Sequence, residues 1–241
     1  MKISNYQFRP SLIGLIVTTM AVAVFVWLAI WQLGRAEDRH LQMQLISEKL
    51  VMPAAQLNDM DDLSVEKRYQ RFLLSGHFVN QHQLLLDNVV NKGKAGYEVI
   101  TPFRLLDTDE VILINRGWIQ ADMNRSVLPR IDVAEDQQLI EVMLDMPRSA
   151  PVIGAQIVDT GNRWNYLDMT YYRQQSGLSV PDFLMLLGPE STHGYKRQWP
   201  QPEDKSGMHI GYAIQWSAFA LIALGTFLGL SFKRVSQENE Q

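Results

Sequence analysis

The 241-residue chain contains no cysteine. That excludes disulfides, thiolate zinc sites, iron–sulfur clusters, a Cys-x-x-Cys-His haem attachment and a thiol nucleophile. No Lys/Arg-rich run exists, and a formal charge of −4 leaves no electrostatic footprint for nucleic acid. A Gly-x-Ser-x-Gly elbow, a Walker loop, Gly-x-Gly-x-x-Gly and His-Glu-x-x-His are also missing. Charge is scarcest at the two ends. Between Arg9 and Arg35 there is none, and between Lys205 and Lys233 only His209 can carry one. Stretches this long do not suit a water-soluble fold of this size. Four of the 22 basic residues (Lys2, Arg9, Lys233, Arg234) and two of the 26 acidic ones (Glu238, Glu240) lie outside residues 34–208, so the ends carry +2 and the middle −6.

The first apolar run, Leu12 to Trp31, is twenty residues long, which at 1.5 Å per residue crosses a hydrocarbon core of roughly 30 Å. Trp27, Trp31 and Arg35 close it on one helical face, as at the edge of a span. The run is too long for a cleaved signal peptide, so it reads as a retained anchor. The second run, Ile210 to Phe232, opens near Tyr212 and Trp216 and stops at Lys233-Arg234. Both aromatic pairs then fall at one membrane face, as an antiparallel hairpin with a large insert requires. Gly225-x-x-x-Gly229 is either a close-approach motif or two unrelated small residues. Local Lys/Arg counts nearly tie across the first span. Long loops translocate regardless of charge, so Lys233-Arg234 decide the orientation: both termini cytoplasmic, the acidic middle outside.

Past Arg35 a helical period persists through Leu41, Leu45, Ile46 and Leu50, until Pro53 ends it. Residues 58–62 read as an exposed acidic linker. From residue 69 the pattern is β: runs at 71–79, 83–87, 97–105 and 110–115, a turn at Asp107-Thr108-Asp109, then 139–146 and 151–158. Asp168 and Gly177 cap one internal helix. Closely spaced strands predict an antiparallel sheet or partly closed barrel with a helix packed on it. The fold class is thus a membrane protein of α+β type, with N- and C-terminal transmembrane helices flanking a β-rich domain. Gly188 to Gly207 reads as a loop back to the membrane, and Lys92-Gly93-Lys94-Ala95-Gly96 as a flexible hairpin loop.

Chemistry has little foothold in the middle. His77 and His82 lack a third metal ligand nearby and read as exposed strand-end histidines. Met143 and Met146 recur at strand spacing beside Leu139 and Val142 and read as packing rather than copper ligands. In Asn115-Arg116-Gly117-Trp118 a glycine follows an apolar strand, where the backbone bulges or approaches another segment closely. The element reads as a structural corner with Trp packed and Arg paired to a carboxylate, with partner contact by Arg116 and Trp118 as the alternative. His209 stands at a span boundary, where a neutral imidazole can ligate a metal, haem iron included, or simply hydrogen-bond to headgroups and water. Its face continues through Tyr212, Ala213, Trp216 and Ala220, a groove in which a flat macrocycle would lie. His40 is the only other histidine at a matched depth.

Several segments together resemble one family, the surfeit-locus-one assembly factors for cytochrome c oxidase. They are Trp31-Gln32-Leu33-Gly34-Arg35, Gly96-Tyr97-Glu98-Val99-Ile100-Thr101-Pro102, residues 111–118 ending in Asn115-Arg116-Gly117-Trp118, and His209-Ile210-Gly211-Tyr212-Ala213-Ile214-Gln215-Trp216. Ser217, Ala29 and Arg39 depart from the residues common there (Phe, Gly and Lys). The resemblance implies a non-enzymatic, membrane-anchored assembly factor for the haem–copper oxidase, with the catalytic subunit, other assembly factors and membrane lipid as partners. It also implies haem a held by His209 and handed on; by their placement one and two turns further in, Tyr212 and Trp216 would line the ring. A docking scaffold that binds no haem is the alternative, and a tethered hydrolase would need an overlooked carboxylate pair. The resulting layout is a cytoplasmic N-terminus (1–11), span one (12–33), a periplasmic domain (34–208), span two (209–232) and a cytoplasmic tail (233–241), in the cell inner membrane.

Overall fold

The computed structural model describes residues 2–3, 6–57, 60–148, 161–199 and 202–234. In chain order the elements are β1 (Lys2–Ile3), β2 (Tyr6–Phe8), α1 (Leu12–Val51), β3 (Ala55–Gln56), β4 (Arg71–Phe78), β5 (Leu84–Asn91), β6 (Lys94–Leu105) and β7 (Val111–Gln120). They continue with β8 (Gln138–Asp145), β9 (Arg163–Trp164), α2 (Met169–Ser176), β10 (Leu184–Leu187), α3 (Ser206–Ser231) and β11 (Phe232–Arg234). Two compact units result: Met1–Leu45 with Pro202–Gln241, and Ile46–Gln201. These limits differ from 34 and 208: α1 outruns its charge-free stretch, while α3 begins as soon as its own charge-free stretch does. α1 continues to Val51, just short of Pro53, and α3 starts at Ser206, inside the stretch read as loop.

In the first unit α1 and α3 form an antiparallel hairpin, and both are long and apolar enough to cross a membrane. Gln32 meets His209, Phe25 stacks on Trp216, and Gly14 lies against Phe227. From the first pair to the second each helix advances seven residues, and from the second to the third eleven, in opposite directions. Such steps keep one face of each helix turned to the other. At the far end β2 pairs antiparallel with β1 and β11, a three-stranded sheet made from both ends of the chain that the sequence patterns do not announce.

The second unit is an eight-stranded sheet in the order β3-β4-β8-β10-β7-β6-β5-β9, with β4 also paired to β6. That extra pairing closes a ring of five strands: β4, β8, β10, β7 and β6. The twelve-residue β6 makes it possible, pairing with β5 over residues 94–100 and with β4 over 103–105. The expected partly closed barrel is therefore present. Strand alternation fills it: Phe72, Leu74 and Phe78 from β4 and Ile140, Val142 and Leu144 from β8 meet Ile112, Ile114 and Met185 in one apolar core. On the outer face α2 covers a second core containing Leu86, Ile100, Leu113, Trp164 and Tyr172. The capping expectation for α2 holds in detail. Asp168 accepts the Tyr171 N–H at 2.9 Å, and Gly177 (φ 71°) closes the C-terminus.

The sheet is mixed, which corrects the antiparallel expectation. β10 runs parallel to β7 and antiparallel to β8. It enters a slot between them, so all four of its residues are buried and no alternation marks it. The short β3 and β9 are also parallel to their neighbours. Only Lys92 (φ 48°) and Gly93 (φ 76°) form the turn before β6, so the segment read as a flexible loop is a tight hairpin whose last three residues belong to a strand. The strand proposed at 151–158 lies outside the described residues.

Candidate functional site

The hairpin seam carries the histidine singled out by sequence. On α3 the covered positions are Ser206, His209, Ala213, Trp216, Ala220, Ala223, Phe227 and Ser231, in steps of three and four. On α1 they run Gly14, Thr18, Ala21, Phe25, Leu28 and Gln32. Ala29, Ala36, Ala213 and Ala220 are buried along these helices. Ala213, Trp216 and Ala220 are thus part of the helix–helix seam, which corrects their reading as an open groove. Trp216 stacks on Phe25 (5.8 Å, 21°) and meets Phe219 edge-on. Tyr212, 46% exposed, points away from the seam. Gly225 and Gly229 are exposed with open space beside them, on the opposite face of α3.

His209 Nδ1 lies 2.8 Å from Gln32 Oε1. A carbonyl oxygen only accepts, so the imidazole donates from Nδ1, and in the neutral ring that donor leaves the lone pair on Nε2. A neutral histidine whose far nitrogen is hydrogen-bonded to the protein is the donor arrangement a haem iron takes. The residues present therefore fit a haem at His209. His40 does not complement it: its Nδ1 faces Asp204 at 3.5 Å and its Nε2 faces Gln44 at 3.1 Å. Hydrogen bonds from Ser206 first, then His40, hold the Asp204 carboxyl below its ordinary range.

In the barrel, Asn115-Arg116-Gly117-Trp118 forms the bulge its glycine suggested. Glu98 pairs with Trp118 and Ile100 with Asn115, leaving Arg116 and Gly117 opposite Val99 alone. Gly117 has φ 111°, and a Cβ there would meet Arg197 and the Lys196 carbonyl at 2.9 Å, so the close approach is real as well. Arg116, 3% exposed, pairs with no carboxylate among the described residues, contrary to expectation. Its Nε donates to the His193 carbonyl (2.8 Å), and Nη1 to the Ile131 carbonyl (2.8 Å), Gln83 Oε1 (3.2 Å) and Thr101 Oγ1 (3.3 Å). Phe78 and Tyr195 lie against its guanidinium at 5.5 and 5.1 Å. Burial pushes its pKa below the usual value, opposed by Tyr195 and Asp132. Trp118 is buried too, its Nε1 donating to the Val89 carbonyl at 2.9 Å and its ring filling the space that Gly96 leaves. The surface that this corner presents is the 193–196 segment, tied down by Tyr195 N–H to the Arg116 carbonyl and by pairing of Lys196 with Trp118.

A cavity of about 210 Å³ on the same unit is lined by Asp87, Glu98, Asn115, Asp145 and Arg148 among others. Its carboxylates are engaged. Glu98 meets Arg148 (2.7 Å) and Asn115 (3.0 Å), Asp87 meets Arg125 and Arg163, and Asp145 meets Arg68 at 2.7 Å. His77 and His82 are half-buried rather than exposed, His77 within β4 opposite Arg104. No group of three His, Cys, Asp or Glu side chains fit for a metal occurs among the described residues. Sequence reasoning passed over Gln32, although a polar amide inside an apolar span is itself a signal, since it needs a partner there.

The fold is thus two helices long and apolar enough to cross a membrane, with one imidazole on their seam, and a β-barrel whose cavity carboxylates are paired with arginines. The chain belongs to the SURF1 family, whose sequence model matches residues 19–221. It is 26% identical over 203 residues to a SURF1-like protein of Rickettsia bellii, covering 82% of each chain. A SURF1-like protein of Monosiga brevicollis is 25% identical over 237 residues, covering 91% of this chain and 88% of the relative. A SURF1-like protein of Mycobacterium tuberculosis is 24% identical over 230 residues, 90% and 82%.

Proposed function

We propose that this protein is a membrane-anchored assembly factor for haem–copper cytochrome c oxidase that holds haem a on His209 and passes it to the catalytic subunit. Family membership supports a role in oxidase assembly in general. The single observation carrying the finer reading is the Gln32–His209 hydrogen bond, which engages Nδ1 and leaves Nε2 as the nitrogen available to a ligand. Haem a is cargo in this reading: its ring prefers hydrocarbon and its propionates the hydrated headgroup zone, and His209 stands at that boundary. Tyr212 lies one turn further in on the exposed side. Trp216 supports the ring only from within its aromatic cluster. In this layout both termini are cytoplasmic, α1 and α3 are spans of the inner membrane, and the barrel is periplasmic. The Arg116–Trp118 corner serves partner contact through the 193–196 segment it holds.

The docking scaffold without haem is the second reading. It is favoured by the filling of the Ala213–Trp216–Ala220 face by α1. Purification from cells that make haem a separates the two. Wild-type protein carries haem absorbance and His209→Ala loses it while keeping expression and membrane insertion, because one boundary imidazole adds little to span stability. Haem-free wild-type protein, or an unchanged spectrum in His209→Ala, leaves the scaffold.

A further inference from the structure

The three-stranded sheet at the far end of the hairpin has no part in the haem reading, and its composition is distinctive. Tyr6 (47% exposed) and Phe8 (36% exposed) alternate with Gln7 on β2, and Phe232 alternates with Lys233 on β11. Register places Phe8 opposite Phe232, ring to ring at 5.2 Å, and Gln7 opposite Lys233. One face is therefore mainly aromatic and largely exposed, with Arg234 beside Tyr6 at its edge, and the other is polar. The sheet joins both helices with almost no linker: β11 starts at the residue after α3 ends, and the Arg9 N–H donates to the Ser231 carbonyl at 2.7 Å. It thus sits where both apolar runs stop. Arg9, Lys233 and Arg234 are exposed there, Lys2 precedes them, and no acidic residue occurs before Glu37 or between Asp204 and Glu238.

We propose that this terminal sheet is a lipid-binding clip, with its aromatic face in the headgroup–acyl boundary and its Lys and Arg side chains on anionic headgroups of the leaflet. Two observations select lipid as the occupant. The aromatic face is continuous with two candidate spans, so it is held at membrane depth without further docking cost. The charge is of one sign, complementary to an anionic leaflet, which attracts juxtamembrane basic residues by roughly a factor of five in population for each Lys or Arg. Aromatic side chains with a polar companion face are the residues that settle in this layer. Pinning both ends of the chain to the same leaflet would also fix the helix pair against sliding along its seam.

The inference rests on reading α1 and α3 as spans, and the experiment separates the two claims. The chain lacks cysteine, so single substitutions accept one thiol-reactive fluorophore in the full-length protein. Phe8→Cys, Gln7→Cys, Lys233→Cys and Leu221→Cys are labelled in nanodiscs of phosphatidylcholine with or without phosphatidylglycerol. Leu221, 70% exposed in the middle of α3, reports the spans alone. Quenching by brominated acyl chains at 221 and 8, with iodide quenching at 7 and 233, is the expected pattern. Removing phosphatidylglycerol, or adding Arg234→Gln, lowers the acyl-chain quenching at position 8 and leaves position 221 unchanged. Quenching at 221 with free aqueous access at 8 overturns the clip while sparing the spans. Loss of quenching at 221 overturns both. Equal quenching at 8 with and without phosphatidylglycerol overturns the anionic-headgroup claim. Shielding at 8 that grows with protein-to-lipid ratio, as a second copy would give, overturns lipid as the occupant.

Discussion

The hairpin and the barrel are held together by different means. In the hairpin the α1–α3 seam is a narrow run of alanines and aromatics with one cross-helix hydrogen bond between side chains, Gln32 to His209. In the barrel a closed ring of strands surrounds an apolar core, and one buried cation, Arg116, bonds to segments at residues 83, 101, 131 and 193. Lipid would be as apolar as the seam, so little hydrophobic gain separates paired from parted helices. The barrel excludes water and is exposed to both the gain of burial and the penalty of stranded polar groups. A polar residue is thus an orienting device in the first unit and a structural strut in the second.

Arg116→Leu should break the barrel hardest. It strands the carbonyls of residues 131 and 193, while Gln83 keeps its bonds to Thr101 and Asn80, at a cost of about 2–6 kcal/mol. Chemical denaturation followed by tryptophan fluorescence checks this, and a loss under 1 kcal/mol would show the bonds to be dispensable. Asp168→Ala removes the cap of α2 and should cost about 1 kcal/mol in the same assay. The hairpin counterpart is Gln32→Leu. Interhelical hydrogen bonds in membranes average about 0.6 kcal/mol, so helix pairing should hardly change. Without the Gln32 contact to Nδ1, haem held on His209 as proposed should bind in more than one orientation, read as a broadened Soret band; an unchanged band would mean Gln32 orients nothing. The smallest effect concerns Asp204. Its folded pKa is lowered, so its contribution is present above the ordinary carboxylate range and fades as pH falls through the lowered value. Asp204→Asn should flatten that part of the pH–stability curve and nothing above it.

What could be read from sequence follows the same division. Absence of charge located both helices, Pro53 ended the first, and Asp168 with Gly177 bounded α2, because each is a local signal. Alternation found β4 and β8, whose inner and outer faces differ, whereas β6 and β7, buried on both faces over most of their length, showed as long apolar runs. It failed at β10, since a strand covered on both faces has no period, and its parallel pairing with β7 depends on a slot built by distant segments. The terminal strands are two and three residues long and owe their existence to the hairpin that brings the chain ends together. His209 was legible by its isolation at a span edge. Its partner Gln32 was not, because nothing in either run alone says which residues of two helices will face each other. Arg116 was assigned a carboxylate from charge statistics, yet the bulge turns it into a pocket lined by carbonyl, amide and hydroxyl oxygens.

The position of β10 has a consequence for how the chain is made. Ribosomal synthesis delivers β4 through β8 long before Leu184–Leu187, so the nascent ring has a gap between β7 and β8 with two open edges of unpaired peptide groups. Such edges are templates for aggregation. Closure waits for four residues followed shortly by the second apolar helix, so the barrel completes only just before that helix is made. A stop codon before residue 184 should therefore yield an aggregating fragment with one anchor, whereas one just after residue 199 should release a closed ring still tethered by α1.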